Sequence, residues 1–121
     1  MDIEIKVNAR YLTEQSDPAK KRYAFAYTVN IENNSNVAVK LLSRHWLITD
    51  DNDKTEEVRG KGVVGLQPLI RPGQKFHYTS SAILETEFGT MQGSYEMMSA
   101  EGVRFKTPIP PFLLARPNTV H

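Results

Sequence analysis

The sequence predicts an all-β chain, an antiparallel sandwich of about seven short strands, and three observations carry that reading. Apolar residues recur at every second position through most of the chain. Clusters of Asn, Asp, Gly and Pro interrupt these runs at the spacing a sandwich needs. No stretch shows a sustained helical period with a cap.

In the first run Ile3, Ile5, Val7, Ala9 and Tyr11 alternate with Glu4, Lys6, Asn8 and Arg10, the period of a strand with one wet face. EQSDPAKKR is polar and holds a proline, so it reads as a loop; Tyr23, Phe25, Tyr27, Val29 and Ile31 then mark a second strand. ENNSN is a turn. In VAVKLLSRHWLIT, Val37, Val39 and Leu41 share one parity and Leu42, Arg44, Trp46 and Ile48 the other, so a bulge is expected near Leu41 and Leu42. Trp46, the sole tryptophan, is placed to anchor the core between two sheets. TDDNDK turns into a short strand, TEEVR. GKGVVGLQPLIRPG is then a connection too rich in breakers for a helix. QKFHYTSSAIL is a fifth extended run, and TMQGSYEMM and GVRFKTPIP pair across a turn near Ser99 to Gly102. Pro108 and Pro110, two apart, lack N–H groups on the same side of the last strand, which puts that strand at a sheet edge, guarded against further pairing.

At 121 residues the chain is one domain, 1–121, with a frayed RPNTVH tail expected at its end. Its 15 basic and 14 acidic residues argue against a nucleic-acid partner. The absence of cysteine excludes disulfides, thiolate nucleophiles and cysteine-based zinc sites. No apolar run is long enough for membrane insertion as a helix, and MDIEIKVNAR alternates where a signal peptide would be continuously apolar. A cytoplasmic location is the expectation.

Residues 60 to 65, GKGVVG, spell G-x-G-x-x-G, the phosphate fingerprint of dinucleotide-binding folds. That fingerprint works because a helix N-terminus behind it gathers aligned N–H groups, and here Pro68 and Pro72 stop any such helix. Two readings remain. The glycines permit positive φ and close backbone approach in an irregular crossing, or the loop forms a nest of N–H groups that holds an anion without a helix. From Val58 to Leu84 no acidic residue occurs while Arg59, Lys61, Arg71 and Lys75 are basic, which gives the segment a positive field. Upstream, Asp50, Asp51, Asp53, Glu56 and Glu57 match no EF-hand register; weak Mg²⁺ contact at that acidic turn is weighed and not predicted, and no cofactor is expected. His45, His77 and His121 share no ligand spacing, and Ser80 and Ser81 lack a nucleophile elbow.

Taken in order, RHWLITD, EVRGKGVVGLQP, IRPGQKFHYTS, GTMQGSYEM and FKTPIPPFLL, with YLTEQSDP before them and a closing histidine, resemble the bacterial ApaG family from about residue 3 onward. The resemblance implies a fibronectin type III-like or immunoglobulin-like β-sandwich. It also implies a link, by name, to cobalt and magnesium resistance or efflux, and a discussed pyrophosphate site at Gly60, Gly62 and Gly65. Related domains in F-box proteins and a polymerase-delta-interacting protein imply protein recognition. Asp53, Ser81 and Glu87 stand where the family commonly has glycine, glycine and proline.

The expected function is therefore a non-enzymatic binding module with no catalytic constellation, an indirect role in any cation efflux, and a protein partner. The alternative is a binder of pyrophosphate or nucleotide phosphates. For either, the expected contact residues are Arg59, Gly60, Lys61, Gly62, Val63, Val64 and Gly65.

Overall fold

The computed structural model describes residues 2–117, so the predicted frayed end beyond Pro117, with His121, lies outside them. The strands are β1 (Ile3–Tyr11), β2 (Tyr23–Asn33), β3 (Val39–Asp50), β4 (Thr55–Lys61), β5 (Leu69–Ile70), β6 (Lys75–Leu84), β7 (Phe88–Ser99) and β8 (Arg104–Ala115). They form two antiparallel sheets packed as a sandwich, one in the order β1-β2-β6 and the other β4-β3-β7-β8 with β5 also paired to β3. The predicted class holds, with eight strands among the described residues where about seven are expected. The added β5 is two residues long, too short to show any period. β4 also runs on past TEEVR through Gly60 and Lys61, because their pairing with Arg44 and Ser43 outweighs the low strand propensity of glycine. Two short 3₁₀ turns, Thr13–Gln15 and Pro18–Lys20, occupy the loop between β1 and β2.

Alternation decides what is buried. From β2, Phe25, Val29 and Ile31 are fully buried and meet Val39, Leu41, Met91, Tyr95, Met97 and Leu114 from the second sheet. Burying each large apolar side chain favours folding by roughly 1.5–3 kcal/mol. Trp46 lies between the sheets as predicted, 2% exposed, edge-on to Tyr27 (5.4 Å), Phe112 (5.9 Å) and Tyr95 (6.3 Å). Behind it the hydroxyls of Tyr78 and Tyr95 are hydrogen-bonded to each other in the interior. Burial pushes both tyrosines well above the usual phenol value.

The predicted bulge is present: Leu41 pairs with Met97 and Ser43 with Glu96, leaving Leu42 as the extra residue. β8 is an edge strand, as its prolines require, and it bulges where Pro110 and Pro111 lie opposite Gln92. Of the three positions expected to depart from the resembled family, Asp53 holds φ 61° in its turn, as an aspartate can. Ser81 pairs with Ala26 in an uninterrupted ladder, and Glu87 forms an ion pair with Arg116 at 3.0 Å.

Candidate functional site

The glycine motif lies where the chain changes partners along one edge of β3. β4 covers Ser43 to Thr49, β5 covers Val39 and Lys40, and residues 62 to 68 span the bulge between them. The bulge anchors the loop: the Leu42 carbonyl accepts hydrogen bonds from Gly62 N–H (2.8 Å) and Gln67 Nε2 (2.9 Å), and Leu41 N–H donates to the Pro68 carbonyl (3.0 Å). Val63 turns inward and is fully buried. Beyond it Val63 N–H donates to Leu66 O (2.8 Å) and Leu66 N–H to Val63 O (2.9 Å), closing a two-residue hairpin turn. Its central residues, Val64 and Gly65, have φ of 43° and 80°, the type I′ pattern.

The three glycines thus have separate structural reasons. A Cβ on Gly60 would sit 2.6 Å from the guanidinium of Arg44, which folds over it. Gly62, at φ 64°, brings its Cα so close to the loop's return that a Cβ would lie 2.2 Å from the Leu66 carbonyl oxygen. Gly65 supplies the second positive φ of the turn. Arg44 completes the anchorage, donating from Nη1 to the carbonyls of Lys61 (3.2 Å) and Gly62 (2.9 Å).

This geometry limits what the loop amides can hold. The N–H groups of Gly62, Val63 and Leu66 are engaged within the chain, and those of Val64 and Gly65 are the motif's remaining loop amides without a partner among the described residues. Among the described residues no helix follows Gly65. What the loop presents is apolar: Val64 and Leu66 are each 54% exposed and Leu69 is 53% exposed. A β-branched residue in the left-handed region costs about 1–2 kcal/mol, and Val64 carries that strain at an exposed tip.

Arg59 and Lys61 point away from the core on β4, opposite His45 and Ser43 of β3. With Ser43, Ser94, Lys106 and Glu96, whose carboxylate pairs with Arg104 at 3.5 Å, they line a shallow depression of about 380 Å³ on the outer face of the larger sheet. Lys61 and Lys106 enter no ion pair among the described residues, whereas Arg59 and His45 both lie against Glu57, at 3.2 and 3.1 Å. Those contacts, His45 first, hold the Glu57 carboxyl below its ordinary range. Sequence reasoning found Arg59 and Lys61 but missed Lys106, which lies distant in the chain and reaches the depression through the β3–β7–β8 pairing.

In the acidic turn Asp50 Oδ1 accepts from the N–H groups of Asn52 (2.8 Å) and Lys54 (3.0 Å), so that carboxylate shapes the hairpin. Among the described residues no group of three or more His, Asp or Glu side chains is gathered as metal ligands would be. No helix there is long and apolar enough to cross a membrane.

The ApaG domain family matches residues 13–99, a span that contains the whole loop and its anchoring bulge. The chain is 56% identical over 119 residues to the ApaG protein of Thiobacillus denitrificans, covering 98% of this chain and 94% of that one. The chain belongs to the ApaG family. The ApaG protein of Pseudomonas entomophila is 54% identical over the same coverage. A crystal structure of a putative ApaA protein from Bordetella pertussis superposes with a TM-score of 0.95 at 49% identity, covering 98% of this chain and 96% of that one. The superposition agrees with the sandwich described above. The chemistry of what the loop meets has to come from the geometry above.

Proposed function

We propose that the chain is a non-enzymatic protein-binding module whose contact surface is the apex of the glycine loop, with Val64 and Leu66 at its centre and Leu69 beside them. One observation carries this reading: a β-branched, apolar residue is held at positive φ on a solvent-exposed tip where asparagine or glycine would be relaxed. The loop's glycines and the Leu42 bulge serve to hold that tip rigid, which lowers the ordering cost of association. Any contribution to cobalt or magnesium efflux, which the family resemblance implies, runs through the partner.

The test is a pair of variants. Val64→Asn relieves the strain, so the protein becomes more stable by about 1 kcal/mol while capture of a partner from bacterial lysate is lost. Leu66→Asp leaves the fold intact and abolishes the same capture. Identical capture by wild type and both variants would contradict the reading.

A second reading is favoured by the outer depression. There Lys61 and Lys106, unpaired among the described residues, flank Ser43 and Ser94, a setting suited to a phosphate-rich anion such as pyrophosphate held by side chains. Replacing both lysines with methionine would remove pyrophosphate binding, read by calorimetry, without touching partner capture.

A further inference from the structure

We propose that the open side of the sandwich, between the free edges of β6 and β4, takes up an extended acidic peptide that adds to β6 as a further strand. The site differs from the loop apex and stands independently of it.

The four outermost strands of the two sheets are not equally guarded. β1 carries Glu4, Lys6 and Arg10, β4 carries Glu56, Glu57, Arg59 and Lys61, and β8 has prolines and a bulge. Such charges and prolines discourage strand addition. β6 has none from Phe76 to Leu84, and it pairs with β2 over ten residues, from Lys75↔Glu32 to Leu84↔Tyr23, without a register shift. Its outer rungs can be assigned from the ladder's phase. Asn33 N–H donates to Gln74 O, while on the opposite side of β2 Leu12 N–H donates to Ala24 O. Odd-numbered residues of β2 therefore bond toward β6, which leaves His77, Thr79, Ser81 and Ile83 with N–H and C=O turned outward.

Beside that edge lies a groove of about 470 Å³, with Trp46, Ile48 and Val58 among its apolar lining. Trp46 Nε1 is buried and has no hydrogen-bond partner among the described residues, an unsatisfied donor at the groove. Arg44 lines the groove, is half-buried, and forms no ion pair among the described residues. Further along, Glu56 lies opposite Ile48, Asp50 accepts the N–H groups of its own turn, and Lys54 and Glu85 pair with each other. The groove's acids, Asp50, Glu56 and Glu85, lie away from Arg44, which stands opposite Gly60, so an apolar side chain fits against the lining and a carboxylate is accommodated at the Arg44 end alone, beside a guanidinium whose Nη1 already donates to the Lys61 and Gly62 carbonyls. A second copy of β6 cannot supply that carboxylate, since no acidic residue occurs from Val58 to Leu84. Main-chain bonds to Ser81 and Ile83 give affinity and the two side chains give selectivity, as in other strand-addition sites.

The probe is a tryptophan-free library of random heptapeptides displayed on phage and selected against the intact protein. The selected sequences are then made synthetically and titrated while Trp46 fluorescence and ¹⁵N amide shifts are followed. The proposal expects β-prone heptapeptides with an Asp or Glu toward one end, shifts centred on residues 79 to 85 and 44 to 48, and loss of binding when the peptide's acid becomes its amide. Ser81→Pro removes an outward N–H that has no partner among the described residues, so it folds and weakens binding about tenfold or more. Ser81→Ala keeps the N–H and binds as wild type, and Val64→Asn does likewise. Selection yielding no peptide above background, shifts confined to other surfaces, unchanged binding by folded Ser81→Pro, or self-association through β6 in place of peptide binding would each overturn the proposal.

Discussion

Gly62 is the least replaceable residue of the motif, because a Cβ there meets the Leu66 carbonyl oxygen at 2.2 Å in a backbone already at φ 64°. Gly62→Ala is expected to destabilise the protein by about 2–4 kcal/mol in urea unfolding, the sum of left-handed strain and a backbone clash. Gly65→Ala meets nothing within 4 Å and loses about 1 kcal/mol from its φ alone. Equal costs at the two positions would contradict the loop geometry. The tyrosine pair makes a different kind of prediction. Tyr78→Phe strands the buried Tyr95 hydroxyl and costs about 1–3 kcal/mol, whereas Tyr78→Phe with Tyr95→Phe costs less than the sum of the two single changes.

Strands were legible where alternation was long, and so was the bulge in β3, though not the one in β8. β1, β2 and β6 were readable because alternate residues meet the same core, and the Leu42 bulge because the parity of apolar residues flips there. The loop's internal order was not legible. Its reciprocal Val63 and Leu66 bonds and the tether to Leu42 join residues by pairing across β3, and a valine in a type I′ turn goes against local preference. Lys106 and Arg44 were overlooked for a related reason: neither is near the motif in the chain, and strand register brings them to it. The β3–β4 hairpin depends on one carboxylate, so Asp50→Ala is expected to cost about 1–2 kcal/mol and to broaden the amide signals of residues 51 to 54. Sharp, unmoved signals there would show the turn needs no side-chain acceptor.

Two sheets closed around a tyrosine pair should also fail in a characteristic way in alkali. Below about pH 10 tyrosine is neutral in both folded and unfolded chains, and the pair's contribution is present in full. Above that value the unfolded chain ionises while burial keeps Tyr78 and Tyr95 protonated, so stability falls as pH rises, by up to about 1.4 kcal/mol per pH unit for each group. Urea midpoints measured from pH 8 to 11 should decline from about pH 10, and the double phenylalanine variant should decline less. On the proposed reading the sandwich as a unit mounts a strained apolar tip, and the glycine motif is engaged in the loop's own hydrogen bonds and close approaches. Titration of ¹⁵N-labelled protein with pyrophosphate tests this most directly. The amide signals of Val64 and Gly65 should stay in place at millimolar ligand, and saturable shifts centred on those two amides would show that the loop is an anion cradle after all.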